Sequence, residues 1–144
     1  MVELAQVVDI NLWAVLVAAL AMMALGAAWY SPMLFGKQWQ TMVMAWTKMK
    51  DKDFREGAAV AYIGSALAYL VMAYVLAYIM GLLEATSWQE GVTVAAWIGL
   101  GFMVTRGLTF GLYHNMRKKL WAITTGYDVV GLLVMGAIIG GWQV

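Results

Sequence analysis

Cysteine is absent from this 144-residue sequence, which excludes disulfides, thiolate metal sites and cysteine nucleophiles. Histidine occurs once, as His114, and leaves little from which to build a zinc centre, a bis-histidine haem or a Ser-His-Asp triad. No metal and no cofactor is therefore expected. Charge is scarce as well. Asp, Glu, Lys and Arg make up 12% of the residues, about half the share of roughly 25% in soluble domains. The net charge of +1 supplies no field to draw in nucleic acid. Proline occurs once, whereas the fifteen glycines suit helices that approach closely in lipid.

What is abundant is apolar surface. Ala, Val, Ile, Leu, Met and the aromatics account for 64% of the chain, with eight Trp and twelve Met among them. A hydrocarbon layer of roughly 30 Å needs about 20 apolar residues per crossing. Four stretches qualify, from about Ile10 to Tyr30, Gly57 to Gly81, Gly91 to Leu112 and Ala122 to Trp142. The N-terminus carries Glu3 and Asp9 in place of a basic signal-peptide region, so the first stretch is expected to remain as a span. The fold class expected is all-α: one integral membrane domain over 1–144, a bundle of four transmembrane helices whose first partner is the lipid bilayer.

Basic residues are distributed unevenly. Lys37, Lys48, Lys50, Lys52 and Arg55 lie between the first two stretches, and Arg117, Lys118 and Lys119 between the last two. Both tails and the 82–90 connection have none. By the positive-inside bias the two basic connections are cytoplasmic, and both termini face outward (periplasmic) from the inner, plasma membrane. Trp29, Tyr30, Tyr113, Trp121, Trp88 and Trp142 fall near the expected boundaries, where amphipathic rings anchor.

Pro32 biases Ser31 away from helical angles and should end the first span. Beyond it, Phe35, Trp39, Met42, Val43, Trp46 and Met49 trace one helical face, opposite Lys37, Gln38, Gln40, Thr41 and Lys48. This predicts a short amphipathic helix over about 36–49 in the interfacial plane, with a lid or docking surface as its alternative role. Lys50-Asp51-Lys52-Asp53 is expected to form a solvated turn.

The run Trp29-Tyr30-Ser31-Pro32-Met33-Leu34-Phe35-Gly36-Lys37-Gln38-Trp39 resembles the W-Y-S-P-x-L-F-G-x-x-W signature of a bacterial four-span membrane-protein family of unknown function. The segment from Gly126-Tyr127-Asp128 to Trp142 resembles that family's final span, although the residue after the Gly-Tyr pair is often His there. The resemblance implies a fold and a bacterial inner membrane but no activity.

Two charges lie inside the apolar stretches. Arg106 precedes Tyr113 by seven residues and Asp128 follows Ala122 by six, which puts them about 10 Å and 9 Å from the same end of two antiparallel helices at 1.5 Å per residue. A charge near mid-bilayer costs roughly 2.5–3.5 kcal/mol on insertion scales, so each needs a reason. A buried Arg106–Asp128 ion pair is expected, supported by Thr105, Thr109, Thr124 and Thr125. Snorkelling of Arg106 is the alternative, which the tilt of side chains toward the helix N-terminus disfavours. Tyr69 and Tyr74, too deep for anchors, need hydroxyl partners, which Arg106, Asp128 or a ligand could provide; packing against neighbouring helices is the plainer account and a ligand cavity the bolder one.

Gly107-x-x-x-Gly111 and Gly136-x-x-x-Gly140 allow close helix contact, and Gly57, Ala61, Gly64 and Ala68 form a further small stripe. A surplus small face would make a homo-oligomer. The function favoured by the sequence is a structural or accessory bundle, as an oligomer or as a subunit of a larger membrane complex. A small transporter or channel using Arg106 and Asp128 is the alternative, and an enzyme the least supported.

Overall fold

The computed structural model describes residues 7–142, and these form helices and connections with no strand among them. Four helical stretches are long and apolar enough to cross a membrane. They are α1 (Leu12–Trp29), α4 (Ala58–Leu82), a third rod made of α5 (Trp88–Ile98), a π-helical segment (Gly99–Val104) and α6 (Thr105–Tyr113), and α7 (Lys118–Gly141). Their outer faces carry Trp13, Val60, Ile63, Val71, Trp97 and Phe102, each largely exposed. Water would not tolerate so continuous an apolar surface, and lipid requires it. The chain is a multi-pass membrane protein.

Two shorter helices join the first spans. The amphipathic helix α2 (Gly36–Thr47) starts where expected and stops at Lys48, whose left-handed φ of 57° closes it. The expected turn over 50–53 is instead the start of another helix, α3 (Asp51–Glu56). Its acids Asp51 and Asp53 occupy the first turn and Arg55 the last, the arrangement the helix dipole favours. Arg55 to Asp51 at 2.9 Å and Lys52 to Glu56 at 3.8 Å tie successive turns on the exposed surface.

α7 is the central helix. It carries ten buried residues, against five in α1 and four in α4. Met22 of α1, Met80 of α4 and Leu132, Met135 and Ile139 of α7 fill the middle of the core. The α5–α7 crossing is closer than side chains would permit. A methyl group on Gly91 would strike the Gly136 carbonyl oxygen, and one on Gly140 would lie 2.8 Å from the Gly91 Cα.

A stripe of the third rod runs Gly91, Ala95, Gly99, Met103, Gly107 and Gly111, one residue in every four and small at every position but Met103. In an α-helix each such step overshoots a turn by about 40°, so five steps would drift about 200° and carry the stripe to the opposite face. The extra residue in the π-helical turn takes back about 100°. The remaining drift can be followed by the tilted crossing that small residues permit. Thus Gly107 still meets Thr125 and Gly111 still meets Trp121.

Both ends of the bundle are tied. At the terminal end, the Asn11 side-chain oxygen accepts from the Trp13 and Ala14 amides, and its amide nitrogen donates to the Trp142 carbonyl at 2.9 Å. Ser87 and Glu90 form a capping box that starts α5. At the end with the basic loops, α2 packs its apolar face across the bundle. Trp39 meets Tyr30 and Phe54, while Trp46 donates from Nε1 to the His114 carbonyl at 2.9 Å and lies edge-on to Phe110. These contacts tie the amphipathic helix to the bundle end where the basic loops lie.

Candidate functional site

The Trp-Tyr-Ser-Pro run builds a compact reversal at the end of α1. Phe35 N–H donates to the Trp29 carbonyl and Gly36 N–H to the Ser31 carbonyl, at 3.1 and 3.0 Å. A side chain at Gly36 would run into the Tyr30 carbonyl, so the turn admits only glycine there. The reversal holds Trp29 and Phe35 with ring centroids 5.1 Å apart and brings Trp39 back over Tyr30 at 4.7 Å. Trp29 donates from Nε1 to the Ile123 carbonyl of α7 at 3.1 Å. Ser31 and Pro32 shape the backbone of the turn, and Pro32 is exposed.

On α7, residues four apart share a face and neighbours differ by about 100°. Thr124 and Asp128 consequently form a ridge, with Trp121 and Thr125 on one flank and Tyr127 on the other. A cavity lies on each side of this ridge, and Thr124 and Asp128 line both.

The first cavity, 680 Å³, lies between α6 and α7 and includes Arg106, Phe110, Trp121 and Thr125 in its wall. Arg106 and Asp128 thus share one space at one depth, but they do not pair. The ion pairs within 4.0 Å among the described residues are the two on α3. The Arg106 guanidinium lies over the Phe110 ring, 5.6 Å from its centroid. Phe110 is one turn closer to the basic end, so the side chain extends against the Cβ tilt, as the snorkelling alternative requires. Cation–π attraction at this distance replaces the expected carboxylate.

Thr105 and Thr109 do not line the cavity; their hydroxyls donate back to the carbonyls of their own helix turn. Thr124 does the same toward Leu120 and Trp121 while still forming part of both walls. The indole Nε1 of Trp121 is buried with no hydrogen-bond partner among the described residues.

The second cavity, 540 Å³, lies between α1, α4 and α7. It exists because α4 diverges from the bundle. Its buried residues, Ala73, Leu76, Ala77 and Met80, all lie in its second half, whereas Ala61 and Tyr62 are exposed. Tyr30, Tyr62, Tyr69 and Tyr127 contribute to its walls, and Trp39 of α2 covers its end. Tyr127 hydroxyl donates to the Met22 carbonyl at 2.8 Å and is 3.2 Å from the Tyr69 hydroxyl. Tyr69 thus finds its hydroxyl partner in Tyr127, in place of the expected Arg106, Asp128 or ligand.

Asp128 accepts no hydrogen bond and makes no ion pair with any described residue. The sequence marked Asp128, Tyr69 and the Tyr30–Trp39 run separately. Their convergence on one cavity was not expected from spacing, because it depends on α2 folding back and on α4 splaying out. Tyr127, next to Asp128 and central to the aromatic cluster, was missed as a site residue. Its signal was its place beside Asp128 and two residues after Thr125 in an otherwise apolar span.

No curated protein and no solved structure matches the chain. A family model described as a protein of unknown function, DUF1761, matches residues 13–140, and the chain belongs to that family.

Proposed function

We propose that the protein is a small membrane carrier whose working group is Asp128. The observation that supports this is an intramembrane carboxyl set between two cavities with no hydrogen-bond or ion-pair partner among the described residues. An accessory bundle would gain most by neutralising its two intramembrane charges against each other, and Arg106 is turned away. A carboxyl held in hydrocarbon must be neutralised by a proton or by a counter-ion, and such residues mark solute and proton paths. Asp128 would exchange one for the other, with Thr124 beside it and the ring of tyrosines on one flank.

In this reading the membrane is a bacterial inner membrane, and the loops carrying Lys and Arg face the cytoplasm. The cavities then lie in the cytoplasmic half. An alkaline phosphatase fused behind Val144 is expected to be active and a fluorescent protein at the same site dark; the reverse pattern would invert the orientation.

Dicyclohexylcarbodiimide, which reacts with protonated carboxyls in apolar surroundings, tests the working group. It is expected to modify Asp128 in reconstituted liposomes, as read by mass spectrometry of the α7 peptide, and less as pH rises. An unmodified Asp128 across the whole pH range would overturn the proposal.

A second reading, assembly with another copy or within a larger membrane complex, is supported by one observation. Gly57, which precedes α4, and Ala61, Gly64 and Ala68 on it are exposed, with open space beside Gly64. Native mass measurement in mild detergent tests it, and a strictly monomeric protein would count against self-assembly.

A further inference from the structure

We infer that the cavity between α1, α4 and α7 takes a lipophilic organic cation, a positively charged centre carried on an apolar or aromatic body. This deepens the carrier reading by naming the class of solute that meets Asp128.

The first argument is chemical. Among the described residues no Lys or Arg lines this cavity, and Asp128 is the one carboxyl in its wall. Around it stand Tyr30, Tyr62, Tyr69, Tyr127 and Trp39. Aromatic faces together with a carboxylate form the environment that recognises ammonium-type cations, since ring quadrupoles attract positive charge most strongly when water is excluded. Tyr127 and Tyr69 are held in this wall by each other and by the Met22 carbonyl, so part of it is built before a ligand arrives. An anion would find no cation on this side of the ridge, because Arg106 lines the other cavity.

The second argument is about access. The mouth lies where α1 and α4 part, beside the exposed residues Ala27, Ala61 and Tyr62. These residues belong to helices that face lipid, and the basic-loop end is covered by Trp39 packed at a tilt against Tyr30. A solute would therefore enter sideways from the bilayer, which demands an apolar body. The volume of 540 Å³ is in the range of roughly 300–1,000 Å³ of small-molecule sites. A bare inorganic cation would neither partition into that mouth nor fill the space.

The test uses the purified full chain in nanodiscs, with tetraphenylphosphonium as the probe and equilibrium dialysis of labelled probe as the readout. Saturable binding near one per chain is expected. Asp128→Asn should weaken it by about tenfold or more, and Tyr30→Leu by about three- to tenfold, in line with a desolvated cation–π contact. Tyr30→Phe should stay within about twofold, because the ring face survives without the hydroxyl. Triphenylphosphine oxide, a neutral molecule of related shape, should fail to compete on the unmodified protein. Equal binding by Asp128→Asn, or effective competition by the neutral compound, would overturn the inference; the second needs no variant to fold. Loss of binding in Tyr30→Phe equal to that in Tyr30→Leu would also overturn it, since a hydroxyl would then be the recognition element. Carbodiimide modification of Asp128 separates the two proposals. If Asp128 reacts and the phosphonium neither binds nor protects it, only the solute class fails. If Asp128 does not react at any pH, the carrier reading fails with it.

Discussion

Replacing Gly91 by Ala adds one methyl group and should separate the two most closely packed helices. The new carbon would overlap the Gly136 carbonyl oxygen and come within 2.9 Å of the Gly136 carbonyl carbon and 3.0 Å of the Gly140 Cα. All three are backbone atoms, so no rotamer change relieves the clash, and α5 must move off α7 by about 1 Å to restore ordinary contact distances. A gap of that size forfeits a quarter to a half of each dispersion well, and roughly thirty atom pairs of 0.1–0.2 kcal/mol then lose about 0.8–3 kcal/mol. Measured overpacking costs of about 1–3 kcal/mol cover nearly the same range. The matched control is Gly64→Ala on α4, where an added carbon meets nothing within 4 Å. Its effect should stay within about 1 kcal/mol, the helix-propensity difference between the two residues. Unfolding in mixed micelles with a rising fraction of sodium dodecyl sulfate, followed by far-ultraviolet circular dichroism, gives both values. If the two variants unfold together, the Gly91–Gly136 contact does not exist as described.

Three further outcomes follow from individual contacts. Tyr127→Phe removes the hydroxyl that donates to Met22 and should cost about 0.6 kcal/mol, and no more than about 1.7, in the same unfolding assay. Asn11→Ala should cost about 1 kcal/mol for the lost helix cap; Asn11→Asp should recover most of it, since only the bond to the Trp142 carbonyl needs the amide nitrogen. Gly36→Ala should open the reversal after α1, so that a spin label on α2 shows a longer and broader distance to one on α7; an unchanged distribution would contradict the assigned turn.

The four spans are legible in the sequence because lipid imposes length and apolarity on each segment separately. The shared depth of Arg106 and Asp128 is legible for the same reason, being a matter of rise per residue. Whether the two bond is not, since it depends on a rotamer and on a competitor, Phe110, one turn away on Arg106's own helix. The helix over Asp51–Glu56 escapes a hydropathy reading because its stability comes from charge order rather than apolar period. The π-helical turn escapes a reading of single small-residue motifs, since it shows only in how Gly91, Ala95, Gly99, Gly107 and Gly111 stay on α7 over a length that a straight α-helix could not keep on one face. The second cavity needed the most three-dimensional information. Tyr30 and Trp39 belong to a motif that reads as a boundary marker, and they become a wall only once α2 has doubled back.

The ridge of α7 also sets a rule of exclusion. A single carboxylate exposed to both chambers can have its charge cancelled once at a time. A positive guest on the tyrosine side therefore removes the incentive for Arg106 to swing toward Asp128, and an Arg106 that had swung across would repel the guest. Because linkage is reciprocal, each event must weaken the other by the same factor. Under the carrier reading, then, occupancy of the tyrosine side and a swing of Arg106 from the Phe110 face to the acid would exclude each other.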